Sequence, residues 1–287
     1  MTKKNPEYDF KWCPGCGDFG VRRAVEIAVA GRAQRTGLPM ENNVVIAGIG
    51  CSGNLVHLLE GPQPYGFHGI HGRTLPIALG AKMARPDLNV MIVAGDGDFL
   101  SIGLEHIAPQ AARNLDVTAI IMDNAVYGLT KGQSSPTTEL GDKTSSTPYG
   151  KLEESLNPLE LYLAFGVSFI AQGFSSQPKE LASMITQGMD HRGFAIIHIQ
   201  SPCTTYNDNY AELKGDKEKN IAPLIWTIPA DHDPTDREAA YRLIHRGGVP
   251  LGIIYKQEKP SLDQRVAAMH EKVKTRSLPE LVSSFRL

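Results

Sequence analysis

Apolar and polar positions along this 287-residue chain fall into two alternating registers. Over residues 18–36 the apolar ones recur at helical spacing, with Val21, Ala24, Val25, Ala28 and Val29 on one face. Asp18 stands where a helix cap is expected and Gly37 where a helix ends. VVIAGI, at 44–49, is instead an unbroken apolar run, the pattern of a strand buried on both sides. The two registers then repeat. A helix of small residues is predicted over 73–85, stopping before Pro86, and is followed by the strand NVMIVAG at 89–95. A helix over 101–113 leads to the strand VTAIIM at 117–122. Helices near 158–165 and 177–190 flank a strand at 167–171, and AIIHIQ at 195–200 is the last clear strand. After about residue 225 the pattern weakens to a helix near 235–246, a short strand LGIIY and a helix near 260–272. Two units are expected, a main domain over 1–225 and a C-terminal extension over 226–287 that docks on another subunit. No internal repeat or low-complexity segment occurs. The stretch 124–156 is rich in Gly, Ser, Thr and Pro, and loops of that length inside a domain are usually functional or disordered.

Continuous apolar strands separated by helices predict an α/β fold, a parallel sheet covered by helices on both faces. Ligands bind such sheets beyond the carboxyl ends of the strands. Four segments follow strand ends and so belong on that edge: GCSGN (50–54), GDGD (95–98), DNAVYG (123–128) and SPC (201–203). Two carry a cysteine, and two carry a carboxylate or amide beside small residues.

Composition narrows the partners. A net charge of −2 gives no basic excess for nucleic acid and no acidic block for a disordered tail. The first ten residues, MTKKNPEYDF, contain no apolar leader segment, and the longest apolar runs are far too short to span a bilayer. A soluble, cytoplasmic protein is expected, with neither nucleic acid nor membrane as partner. In that compartment its four cysteines, Cys13, Cys16, Cys51 and Cys203, point to metal binding or catalysis before structural disulfides.

GDGD suits close approach to a ligand, because Gly95 and Gly97 allow a sharp turn while Asp96 offers a hard oxygen. Asn124 offers another oxygen 28 residues later, at the end of the next strand. Two such ligands, a backbone carbonyl and substrate phosphates suit Mg²⁺, which keeps few protein ligands and fills the rest of its octahedron with phosphate or water. The spacing resembles the thiamine diphosphate signature, in which GDG is followed some 25 to 30 residues later by paired asparagines. Here the pair reads Asp123-Asn124, with the departure at the position that does not hold the metal. The resemblance implies a diphosphate-type thiamine-binding domain with Asp96, Asn124 and the Val126 carbonyl on Mg²⁺.

The cysteine spacing alone leaves several readings open. WCPGC looks like a permuted dithiol–disulfide motif, but no strand precedes it and the chain is far longer than a thioredoxin. One CxxC pair with two distant single cysteines is compatible with a zinc site and with a four-thiolate [4Fe–4S] cluster. The thiamine signature favours the cluster, since a thiamine enzyme with an adjacent cluster has electrons to move.

The runs WCPGCGDFG, GIGCSGN, HGIHGRTLPIALGAK, GDGDFLSIG, DNAVYGLTKGQSSPTT and SPCTTYN, in this order over roughly 12–210, resemble the β subunits of 2-oxoacid:ferredoxin oxidoreductases. YGLTKGQSSPT is most similar to the 2-oxoglutarate type; the pyruvate type usually has Asn-Thr where this chain has Leu129-Thr130. The resemblance implies coenzyme A-dependent oxidative decarboxylation of 2-oxoglutarate to succinyl-CoA and CO2, with electrons leaving through a [4Fe–4S] cluster to ferredoxin. The resemblance further implies that the reaction can run in reverse, fixing CO2. A pyruvate or broader 2-oxoacid version is the alternative, and a non-catalytic zinc or electron-transfer module a more distant one. The implied cluster ligands are Cys13, Cys16, Cys51 and Cys203. Ile49, Gly50, Cys51, Ser52, His71, Gly72, Arg73, Gly95, Asp96, Gly97, Asp98, Asn124, Tyr127, Gly128, Leu129 and Thr130 are expected to line the thiamine diphosphate. The activating glutamate is expected on an α subunit, so the chain acts only in αβ pairs, themselves dimerised. Lys131 is a candidate for the distal carboxylate of the substrate, and His71 and Arg73 for positioning substrate or cofactor at a helix start. His68 is read as a candidate packed histidine, Glu105 and His106 as surface residues, and 212–220 as a solvated segment.

Overall fold

A computed structural model describes residues 12–62, 64–273 and 276–285. The N-terminal stretch read for a leader and the last two residues of the expected extension lie outside these. In chain order the elements are α1 (Asp18–Thr36), β1 (Asn43–Ala47), α2 (Leu55–Leu58), β2 (Tyr65–His68), α3 (Thr74–Ala84), β3 (Asn89–Gly95), α4 (Ile107–Arg113) and β4 (Val117–Asp123). A small hairpin follows, β5 (Val126–Tyr127) with β6 (Gln133–Ser134). The rest is α5 (Pro158–Phe165), β7 (Phe169–Phe174), α6 (Pro178–Asp190), β8 (Phe194–Gln200), α7 (Tyr210–Lys214), β9 (Ile225–Thr227), α8 (Arg237–Ile244), β10 (Val249–Lys256), α9 (Leu262–His270) and α10 (Leu278–Ser283).

Eight strands form one sheet in the order β2-β1-β3-β4-β8-β7-β10-β9, and the first six run parallel. Successive residues of each strand feed opposite faces, because side chains alternate along a pleat. Ile46, Ile92, Ile121 and Ile196 pack under α3, α4, α5 and α8. Val45, Val93, Ile120 and Ile197 pack under α1 and α6. Burying each such side chain contributes about 1.5–3 kcal/mol, which is why these strands read as unbroken apolar runs.

Several features depart from the sequence expectation, among them the helix expected over 101–113, whose α-helical part begins only at Ile107. β2 was not anticipated, since all four of its residues are exposed on the sheet edge and supply no apolar run. Residues after 225 do not stand apart: β10 pairs antiparallel with β7 and carries β9 beside it, with α8 packed into the same core. Asp18 does not cap α1. Gly17 occupies the cap position without a side-chain bond, and Asp18 is buried. Gly37 does end that helix, in the left-handed conformation at φ 67°, its N–H bonded to the Ala33 carbonyl. Among the described residues no helix is long and apolar enough to cross a membrane.

Candidate active site

The carboxyl ends of β1, β3 and β4 open onto one cleft. It is lined by Ile49, Gly50, Cys51, Ser52, His71, Gly95, Asp96, Gly97, Asp98, Asn124, Val126, Tyr127, Gly128, Leu129 and Thr130, together with Asp18 and Met122. The parallel sheet thus brings together most of the residues singled out in the sequence. Gly97 is required by packing: a Cβ there would lie 2.3 Å from the Tyr127 ring, whose hydroxyl donates to the Gly97 carbonyl.

Asp98 organises the near wall. Its Oδ1 accepts from the backbone N–H groups of Ile49 (3.1 Å) and Gly72 (2.8 Å) and meets His71 Nδ1 at 2.5 Å. Its Oδ2 is buried without a partner and occupies the space a Cβ at Gly48 would take. His71 is therefore held at the cleft by a carboxylate. Arg73 is not drawn in. Its guanidinium donates to the Ile102 carbonyl at 2.7 Å and pairs with Glu105, since α3 starts at Thr74 and directs this side chain along the outer surface. Lys131 is exposed and does not line the cleft. His68, read as packed, lies exposed beside His57 at 2.9 Å. Glu105 is exposed as expected, whereas His106 is partly buried.

Behind the cleft, Asp96 is buried, and burial together with the nearby Asp123 carboxylate raises its pKa above the usual range. Burying a carboxylate is costly unless a charge or a cation offsets it, which makes Asp96 a candidate cation ligand. Asn124 sits beside it on a turn whose Oδ1 accepts from Val126 N–H at 3.1 Å. The donor set of hard oxygens fits Mg²⁺.

The cysteines sit on loops laced together by hydrogen bonds. Cys13 and Cys16 form a tight turn, Cys16 N–H to the Cys13 carbonyl, with Gly15 at φ 80°. Gly17 N–H donates to the Pro202 carbonyl at 3.0 Å and Thr204 Oγ1 to the Pro14 carbonyl at 2.9 Å, fastening that turn to the Cys203 loop. Trp12 Nε1 donates to the Cys51 carbonyl at 2.8 Å, which fastens it to the third loop. A Cβ placed at Gly128 would stand 3.5 Å from Cys51 Sγ, 3.7 Å from Cys203 Sγ and 3.8 Å from Asn124 Nδ2, so these two thiols adjoin the Asn124 turn. Burial, then the Asp18 carboxylate, raises the thiol pKa of Cys16, and the same causes push Cys51 up to about 12. Asp18 itself is pushed up to about 6 by burial, against the opposing bond from Ser201 Oγ. Among the described residues no three His, Cys, Asp or Glu side chains converge closely enough for a single metal ion.

Sequence reasoning missed Asp18 and Met122 as cleft residues, and it missed the polar layer behind Asp96. That layer comprises Thr137, Thr138, His198 and Tyr162. The visible signal was the histidine inside the otherwise apolar run AIIHIQ, since a polar side chain in a doubly buried strand needs a buried partner.

Comparison with known proteins agrees with this geometry. The family described as thiamine pyrophosphate enzyme, C-terminal TPP binding domain, matches residues 48–199. A second family, the C-terminal part of the pyruvate ferredoxin oxidoreductase beta subunit, matches 203–271. The chain is 38% identical over 265 residues to the 2-oxoacid:ferredoxin oxidoreductase subunit beta of Saccharolobus solfataricus, covering 89% of this chain and 85% of that one. It is 42% identical over 202 residues to the 2-oxoglutarate oxidoreductase subunit KorB of Mycobacterium tuberculosis, covering 70% and 52%. A solved 2-oxoglutarate:ferredoxin oxidoreductase from Magnetococcus marinus, with 2-oxoglutarate, coenzyme A and succinyl-CoA bound, superposes with a TM-score of 0.85 at 36% identity, covering 98% and 94%.

Proposed function

This chain belongs to the β subunits of the thiamine diphosphate-dependent 2-oxoacid:ferredoxin oxidoreductases, and from that premise we propose that it serves a 2-oxoglutarate enzyme. The reaction is coenzyme A-dependent oxidative decarboxylation to succinyl-CoA and CO2, with electrons passing through a [4Fe–4S] cluster to ferredoxin, and with CO2 fixation as its reverse. The observation that carries the reading is the adjacency of the Asn124 side chain and the Cys51 and Cys203 thiols around Gly128; a cluster on those thiols would stand beside the cofactor cleft. The 2-oxoglutarate assignment draws support from the KorB relative and the Magnetococcus marinus complex.

Thiamine diphosphate supplies the carbanion chemistry when bound; the chain's own residues place and shield it. Asp96, Asn124 and the Val126 carbonyl are the Mg²⁺ ligands of this proposal. Asp98 keeps His71 directed into the cleft, where the imidazole positions the reacting carboxylate by a hydrogen bond. Lys131, next in sequence to the cleft residue Thr130, is the residue proposed to meet the distal carboxylate of the substrate. Cys13, Cys16, Cys51 and Cys203 are the cluster ligands. A tetrahedral zinc site, with Zn–S bonds of about 2.3 Å, draws its thiolates to within about 4 Å of one another. A [4Fe–4S] core bound by four thiolates suits one CxxC pair and two distant single cysteines, the arrangement of this chain. The remaining parts, an activating glutamate and the second wall of the cleft, belong to an α subunit, in αβ pairs that dimerise. The C-terminal segment past β10, with Leu278 72% and Phe285 80% exposed, is the proposed arm for that docking.

The test is ferredoxin reduction by the co-purified αβ complex with coenzyme A present. Reduction with 2-oxoglutarate well above that with pyruvate is the expected outcome. A preference for pyruvate overturns the substrate assignment, and the family match over 203–271 makes that the competing reading.

A further inference from the structure

The turn that presents Asn124 and Val126 is strained. Ala125 adopts φ 54°, in the left-handed region that residues with a Cβ rarely visit. Both sides of this residue are held. Its N–H donates to Asp123 Oδ1 at 2.9 Å, and its carbonyl accepts from Thr138 Oγ1 at 2.6 Å. The two groups holding it are themselves fixed. Asp123 Oδ2 lies 2.9 Å from His198 Nε2, and the other ring nitrogen of His198 lies 3.3 Å from the Tyr162 hydroxyl; all three side chains are buried. Thr138 Oγ1 also accepts from Ser135 N–H at 2.7 Å, and Lys151 Nζ, buried, donates to the Thr138 carbonyl at 2.6 Å. Thr137 Oγ1 stands 2.8 Å from both Asp96 and Asp123 and joins the two strand ends.

We infer that Thr138 and Asp123 are positioning residues that clamp Ala125 in its left-handed conformation and so preset the Asn124 side chain and Val126 carbonyl for the metal. His198 orients Asp123 within the same brace. Neither Thr138 nor His198 lines the cleft, so they act through the turn and not on the ligand. The SSPTT segment gains a task by this assignment, since its hydroxyls meet the turn from behind. The inference rests on the Mg²⁺ reading above.

The experiment uses the αβ complex freed of thiamine diphosphate and measures the Mg²⁺ concentration for half-maximal cofactor binding by calorimetry. Thr138→Val keeps the shape of the side chain but removes the hydroxyl, and is expected to raise that concentration about tenfold, the worth of one hydrogen bond. Thr138→Ser restores the hydroxyl and is expected to bind within threefold of wild type. Ala125→Gly adopts positive φ without a Cβ clash, so in that background the Thr138→Val penalty is expected to shrink below threefold. Should Thr138→Val fail to fold, Ala125→Gly paired with Asp123→Ala gives the same comparison. Unchanged Mg²⁺ dependence in Thr138→Val, equal losses in the Ser and Val variants, or an undiminished penalty in the glycine background overturns the brace. A wild-type complex that binds the cofactor with no Mg²⁺ dependence overturns the metal reading itself, and the brace with it.

Discussion

Gly20 lies in the first turns of α1, where the helix backbone meets the Ser175 carbonyl so closely that a Cβ would stand 1.8 Å from its oxygen. Real Cβ contacts essentially never fall under 3.0 Å, so in Gly20→Ala the helix must withdraw by about 1.2 Å. Ser175 cannot yield, because its N–H is bonded to the Gln200 carbonyl at the end of β8. The middle of α1 cannot follow either, since Val21, Ala24 and Val25 are fully packed on the sheet. The N-terminal turn therefore lifts alone, stretching the 3.0 Å bond from Gly17 N–H to the Pro202 carbonyl beyond hydrogen-bond range. That bond fastens the Cys13–Cys16 turn to the Cys203 loop. Overpacking of this kind costs about 1–3 kcal/mol, within the roughly 5–15 kcal/mol of a stable domain, so the chain still folds. The four iron–thiolate bonds of the proposed cluster would tolerate no comparable displacement. Iron and sulfide analysis of the anaerobically purified αβ complex is expected to show at least a halved content per β chain, with thiamine diphosphate binding retained. A Gly20→Ala complex with full iron and sulfide would refute the reasoning.

Gly31→Ala lies on the same helix with nothing within 4 Å of the new Cβ; a gain of about 0.5–1 kcal/mol in helix propensity is expected, read as a rise of a few degrees in Tm. Cys203→Ala is expected to lose the cluster and ferredoxin reduction while cofactor binding persists, which parallel iron and thiamine assays separate. In the cluster-free chain near neutral pH, iodoacetamide is expected to alkylate exposed Cys13 well before Cys16 and Cys51, whose thiols are held protonated by burial and the Asp18 carboxylate; peptide mass mapping that finds equal rates would contradict this. His191 is held below its ordinary pKa of 6.5 by burial, its Nε2 2.8 Å from Ser168 Oγ. Its contribution is thus whole above that value and is lost as pH falls through the lowered pKa, so Tm should drop on acidification and His191→Gln should flatten the slope.

Long stretches of this architecture were legible because burial on both faces writes an unambiguous pattern. β3, β4 and β8 are largely apolar, and their ends place Asp96, Asn124 and Cys203 on one edge from the pattern alone. β2 was illegible for the opposite reason: Tyr65, Gly66, Phe67 and His68 are all exposed, so no face selects their character. β10 was seen as a strand, but nothing local states that it returns antiparallel to join β7. The cleft was read well where backbone and glycine make it and poorly where side-chain direction matters. Arg73 adjoins the cleft residues in sequence yet turns to the Ile102 carbonyl. Asp18 looked like a helix cap yet is buried against Ser201 beside the thiols. The brace behind Ala125 joins residues 123, 138 and 198, contacts fixed by the folded sheet and by no local spacing.

The central claim is that electrons released from a 2-oxoacid in the cleft enter a cluster held by these four cysteines. It is tested most directly by adding 2-oxoglutarate anaerobically to the αβ complex, without ferredoxin, and following its visible absorbance beside that of the Cys203→Ala complex. The account expects a partial bleaching in the wild type that the Cys203→Ala complex lacks. A complex that contains iron and thiamine diphosphate yet bleaches with no 2-oxoacid, or bleaches equally without Cys203, would contradict it.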